Sequence, residues 1–190
     1  MNQPDIIVTI SNMDLGNRIR NVMSQNGLTV LDVCSSGNEA IRKVRMLKPE
    51  LLVINYELPD TTGFEVAKIV AEESLCAVIL LTNQAQKEFV ESAIMDLDVV
   101  CLNKPINKTT LLNTIDIVLR SRRKIKKLEE QIKGLRSNLE ARKIIDKAKG
   151  ILMKKQNLSE PEAYRKIQKQ SMDSGVPMKD IAKIIIDTME

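Results

Sequence analysis

Residues 51–63 read LLVINYELPDTTG. Leu51 to Ile54 are apolar without alternation, and the run ends at Asn55 before Pro59, Asp60 and Gly63, which are turn formers. An unbroken apolar run of this length predicts a strand buried on both faces. Four further runs share the pattern: IIVTI (6–10), TVLDV (29–33), AVILLT (77–82) and VVCLN (99–103). Helix-like segments lie between them, over 14–26, 37–47, 62–74 and 86–96. Strands that alternate with helices predict an α/β fold: a parallel five-stranded sheet covered on both faces, with its functional crevice at the carboxyl ends of the strands. Ser11, Asn12, Asn55, Thr82 and Lys104 stand at or just past those ends.

Composition sets limits on function. The 190 residues carry a formal charge of +4, unevenly distributed. Residues 1–110 hold 10 Lys and Arg against 14 Asp and Glu, a net of −4, whereas residues 111–190 hold 19 against 11, a net of +8. A polyanionic partner therefore belongs with the second part. The chain has no His, and its three cysteines (Cys34, Cys76 and Cys101) are widely spaced in apolar surroundings. That pattern fits neither the common zinc sites nor a disulfide framework, and it removes the commonest general base. No cofactor or metal is expected. No apolar run approaches a membrane span, and MNQPDIIVTI lacks a basic start and a cleavage site, so the expected location is a reducing cytoplasm.

The strand ends carry a resemblance. Asn55 four residues before Pro59, Thr82 after the fourth strand and Lys104-Pro105 after the fifth resemble the receiver domain of two-component response regulators, which has a flavodoxin-like fold. In that family an aspartate at the position of Asn55 is phosphorylated, an acidic pair at Ser11 and Asn12 binds Mg²⁺, and Thr82 and Lys104 match the residues that contact the phosphoryl group. An amide offers neither an anionic nucleophile nor a hard charged ligand, so a pseudo-receiver is expected. The aromatic switch residue of the family is replaced by Cys101. The resemblance also implies a cis peptide before Pro105. Asp14, a candidate cap of the first helix, together with Glu57 and Asp60 is read as structural or solvated, with Glu57 a possible partner of Lys104.

Residues 141–190 read ARKIIDKAKGILMKKQNLSEPEAYRKIQKQSMDSGVPMKDIAKIIIDTME. Ile145, Ala148 and Leu152 form one apolar face, Ser159 and Glu162 a capping box, and Gly175 with Pro177 a break before Ile181, Ile184 and Ile185. A small all-α three-helix domain is predicted. Arg142, Ile145, Ala148, Lys149, Gly150, Leu152, Met153, Glu162, Ala163, Tyr164, Ile167, Asp180, Ile181 and Ala182 resemble an ANTAR domain, the RNA-binding module of bacterial transcription antiterminators. Gln168 and Ser171 depart from its usual arginine and alanine. The candidate RNA-binding residues are Arg142, Lys149, Gly150, Lys154, Lys155, Arg165 and Lys169. Gly150, costly by about 1 kcal/mol within a helix, implies a close approach there, either of another helix or of an RNA backbone. Met153 and Tyr164 are expected in the core. Tyr164 is the single aromatic ring of the basic part, so base stacking cannot dominate recognition.

Between these parts, Val118, Ser121, Ile125, Leu128, Ile132, Leu135 and Leu139 recur by threes and fours as a heptad seam. The seam predicts a coiled-coil dimerisation helix over 111–140, between a receiver-like domain (1–110) and the ANTAR part (141–190); packing within its own chain is the alternative. Arg120, Arg122, Arg123, Lys124, Lys126 and Lys127 crowd the start of the seam, as a solvated face or as a phosphate-steering one. The combined reading is a non-catalytic regulator that binds paired hairpins in leader RNA as a homodimer and is switched by a regulatory protein or small ligand at the altered crevice. Its rivals are a DNA-binding response regulator and a protein-only scaffold.

Overall fold

The computed structural model describes residues 3–94 and 97–189, without the side chains of residues 87, 88 and 91. Strands β1 (Asp5–Thr9), β2 (Thr29–Cys34), β3 (Leu51–Asn55), β4 (Ala77–Thr82) and β5 (Val99–Asn103) lie parallel in one sheet, ordered β2-β1-β3-β4-β5. Every residue of β3 and β4 is buried, as expected of central strands covered on both sides. Between the strands run α1 (Met13–Ser24), α2 (Gly37–Leu47), α3 (Gly63–Glu72) and α4 (Gln84–Ala93), and after them α5 (Lys108–Gln156). The predicted strands are all present. The segment expected over 86–96 is α4, which starts earlier; residues 95 and 96 lie outside the described residues.

Side chains alternate across the sheet and build two cores. Ile6, Val8, Leu51, Val53, Ile79 and Leu81 face α1 and the beginning of α5, whereas Ile7, Leu52, Ile54, Val78 and Leu80 face α2, α3 and α4. The sheet is thus flavodoxin-like, with helices on both faces.

The chain divides into two compact units, Met1–Lys124 and Ile125–Glu190. Both boundaries expected from the sequence, after 110 and after 140, fall inside α5, which is 49 residues long. Leu111, Ile115, Val118 and Leu119 belong to the sheet core. Val118, expected at the head of the seam, is only 7% exposed, and this removes it from any seam. The first of the three predicted short helices is the end of α5, because no proline or left-handed residue breaks the helix before Asn157 (φ 53°). In the second unit, α6 (Glu160–Ser174) and α7 (Met178–Met189) pack with α5 around Ala148, Leu152, Ala163, Ile167, Ile181, Ala182 and Ile185. The Glu162 carboxylate accepts from the Ser159 amide (2.8 Å) and hydroxyl (2.5 Å) to open α6, and Gly175 closes it at φ 67°.

One glycine sets the geometry of the crevice. A Cβ on Gly63 would lie 2.0 Å from the Asn55 carbonyl oxygen, so the start of α3 abuts the end of β3 with no room for a side chain. The Gly63 amide also donates to the Tyr56 carbonyl at 2.7 Å. Gly63→Ala must move backbone, and it is expected to lower unfolding free energy by about 1–3 kcal/mol, read as a shifted urea midpoint; an unchanged midpoint would show that the loop yields freely.

Candidate functional site

The registers bring the strand ends level: Asn55 pairs with Leu81, and Thr82 with Asn103. At this edge the Lys104 ammonium, past β5, donates to Asn55 Oδ1, and Asn55 Nδ2 donates to the Glu57 carbonyl at 2.9 Å. Thr82 Oγ1 donates to Asn103 Oδ1 at 3.0 Å, and Asn103 Nδ2 to Gln84 Oε1 at 3.2 Å. The Lys104-Pro105 peptide is cis. Glu57 does not pair with Lys104; its carboxylate accepts from Gln86 Nε2 at 3.1 Å, which leaves the lysine to the amide. Ser11 is exposed, and Asn12 caps α1 by accepting from the Leu15 amide at 3.1 Å, so the cap expected of Asp14 is made by Asn12. Asp60 accepts from the Gly37 and Asn38 amides at 2.8 and 2.9 Å. These bonds hold its carboxyl below the ordinary range and tie the β3–α3 loop to the start of α2.

This donor set does not suit Mg²⁺. The Asn12 oxygen is used as a helix cap, and the Asn55 oxygen faces an ammonium, which repels a dication. Of the sequence candidates, the fold brings Asn55 and Lys104 into contact and sets Thr82 in a separate neutral pair. Asn103, Gln84 and Gln86 were not singled out from the sequence. Each lies within four residues of a strand end, and polar residues there are the signal that could have found them.

In the second unit the seven RNA candidates divide. Lys149, whose side chain is 14% exposed, sits 2.7 Å from Asp146 and 2.8 Å from Glu160, joining α5 to the first turn of α6. Lys155 donates to the Met189 carbonyl at the end of α7. Both are committed within the chain. Arg142 reaches Asp146 only at 4.0 Å, and Lys154, Arg165 and Lys169 are exposed. Met153 and Tyr164, expected in the core, are 38% and 44% exposed, because the small Ala148 and Ala163 let the helices pack without them.

Gly150 corrects one expectation. A Cβ there would meet nothing within 4 Å, so no helix among the described residues packs against it. It lies on the side of α5 away from Ala148 and Leu152, in a row with Lys143, Lys147 and Lys154 at helical spacing. Lys143 and Lys147 were missed in the sequence, although their spacing from Gly150 was available as a signal.

The remaining seam residues, Ile125, Leu128, Ile132, Leu135 and Leu139, are 40–64% exposed along α5. They do not fold back on their own unit. The arginines before them are less free than the sequence implied. Arg120 pairs with Asp116 (2.8 Å), Arg123 with Glu50 (3.1 Å), and Arg122 with Asp98 and the Ser74 carbonyl (both 3.1 Å).

Comparison with known proteins fits both units. The response regulator receiver domain family matches residues 11–116, more than half of the chain, and the ANTAR domain family matches residues 133–186. The chain belongs to the response regulators and carries an ANTAR domain. A relative, the transcriptional regulatory protein PdtaR of Mycobacterium tuberculosis, is 29% identical over 177 residues, covering 93% of this chain and 84% of that protein. Protein-glutamate methylesterase/protein-glutamine glutaminase 3 of Geobacter sulfurreducens is 37% identical over 65 residues, covering 34% of this chain and 18% of its own length. Among solved structures, a CheY-like receiver domain protein from Methanospirillum hungatei superposes with a TM-score of 0.59 at 18% identity, covering 65% of this chain and 98% of that one. An adenylate cyclase structure from Rhodopirellula baltica gives 0.62 at 19% identity, covering 70% and 98%. These two show the fold alone. Among the described residues of this ANTAR response regulator, no helix is long and apolar enough to cross a membrane.

The Lys149 link makes a pH prediction. Hydrogen bonding from Lys149 holds the Asp146 carboxyl below its usual value, so the link contributes stability above the unfolded aspartate pKa of about 3.9 and loses it as pH falls through the folded value. Lys149→Met is expected to lower the melting temperature at neutral pH, with the gap to wild type closing in strong acid. A gap of equal size at both pH values would mean that packing, not charge, holds the two helices.

Proposed function

We propose that this ANTAR response regulator is an RNA-binding antitermination factor with a non-phosphorylatable receiver, acting as a dimer. The reading rests on the row Lys143, Lys147, Gly150 and Lys154. Three lysines on one helix side, with a glycine among them where a Cβ would meet nothing within 4 Å among the described residues, suit a phosphate backbone lying close against the helix. Arg165 and Lys169 add charge from α6, whereas Lys149 and Lys155 position the helices. The resemblance to antiterminators supplies the target class: twin hairpins in a leader transcript, whose capture keeps a terminator stem from forming.

Ile125, Leu128, Ile132, Leu135 and Leu139 supply the dimer seam, and two modules on two hairpins gain avidity from it. The division into a receiver-like part (1–110), a coiled-coil part (111–140) and an ANTAR part (141–190) is kept as a functional one laid over a continuous helix. The receiver, with an amide at Asn55 held by Lys104, takes its signal from a regulatory protein or a small ligand in place of aspartyl phosphate, and the protein works in the cytoplasm without catalysing a reaction.

Binding to a twin-hairpin RNA and to duplex DNA at matched salt tests the reading. Hairpin binding is expected to dominate; equal or tighter duplex binding would support a DNA-binding regulator, and affinity for neither a protein scaffold. Gly150→Ala is expected to stabilise the fold by up to about 1 kcal/mol while weakening RNA binding, and Lys154→Ala to reduce the salt slope by about 1. Unchanged affinity in both would remove this row from the interface. Leu135→Glu is expected to convert the dimer to monomer in sedimentation and to abolish the advantage of two hairpins over one. Incubation with Mg²⁺ and acetyl phosphate is expected to leave the protein unmodified, and a stoichiometric, base-labile phosphate would overturn the pseudo-receiver.

A further inference from the structure

We infer that the receiver unit carries a binding site for a small organic monoanion with an apolar body, in the cavity between α1 and the segment joining β5 to α5. The cavity measures about 360 Å³, within the range of small-molecule sites. Leu15 and Ile19 of α1 and Ile106 of the joining segment form apolar wall, and Leu15 is left 45% exposed despite being a leucine. Such a surface is stabilised by covering it with an apolar group.

The charged residues of the cavity all have one sign. Arg18, Lys104 and Lys108 line it, and no carboxylate does. Arg18 and Lys108 are exposed and have no ion-pair partner among the described residues. Lys104 has a partner, but that partner is the neutral amide of Asn55, so its charge is uncompensated. A module with a net charge of −4 over residues 1–110 therefore holds a cationic cavity. A carboxylate at the position of Asn55 would oppose an anion here; its amide does not. The mainly apolar wall disfavours a strongly hydrated polyanion and favours a carboxylate or sulfonate head at the rim with its hydrocarbon inside.

This inference rests on the reading that Asn55 and Lys104 take no part in phosphoryl transfer, and it is independent of RNA binding. Its probe is anilinonaphthalene sulfonate, titrated into the full-length protein carrying labelled isoleucine methyl groups. Saturable binding is expected to shift the methyls of Ile10, Ile19 and Ile106, and to weaken about tenfold or more in the double variant Arg18→Glu, Lys108→Glu. Phenylnaphthylamine, which has the rings without the sulfonate, is expected to bind more weakly to the wild type, a comparison that needs no variant to fold. No saturable binding, shifts confined to Ile125, Ile132 and Ile184, or equal affinity for the two dyes would overturn the site. Phosphorylation by acetyl phosphate is read separately, so either claim can fail while the other stands.

Discussion

An ammonium group facing an amide keeps its charge, and the chemistry of the receiver crevice depends on that one contact. Lys104 and Asn55 meet where an ion pair would cancel, and every other group at the strand ends near them is neutral: Thr82, Asn103 and Gln84 satisfy one another. The neighbouring carboxylates are occupied elsewhere. Asp60 holds the first turn of α2, and Glu57 takes the amide of Gln86. The parallel sheet fixes this arrangement, because its register levels the ends of β3, β4 and β5 and the absence of a side chain at Gly63 seats α3 against Asn55. The receiver scaffold thereby carries an uncompensated cation at this edge.

Helix α5 contributes to two cores. Its first turns give Leu111, Ile115, Val118 and Leu119 to the sheet, and its last turns give Ala148 and Leu152 to the three-helix unit. Between them lies an exposed apolar stripe from Ile125 to Leu139. In the basic run before the stripe, three guanidinium groups have acidic partners in the receiver unit, which lessens the repulsion two such helices would feel if brought together.

The strands were legible because a buried parallel strand leaves an unbroken apolar run, and IIVTI, LLVIN and AVILLT could be little else. The helices of the ANTAR part were legible from their apolar spacing and from Ser159, Glu162 and Gly175. The boundaries were not, since α5 passes through both without a breaker. Val118 fits a heptad as well as it fits the sheet, and only the fold assigns it. At the sites, residue type was legible and engagement was not. A sequence cannot show that Lys149 is held by Asp146 and Glu160, or that Gly150 faces open space.

The pairing of Arg122 and Arg123 has a consequence for how the halves can be handled. Glu50 and Asp98 act as built-in counterions for those guanidinium groups. A fragment that starts with α5 and omits the sheet loses both, and its bare arginines become adhesive toward any polyelectrolyte. Glu50 and Asp98 of the receiver unit thus quench charge that would otherwise lie bare on the helix.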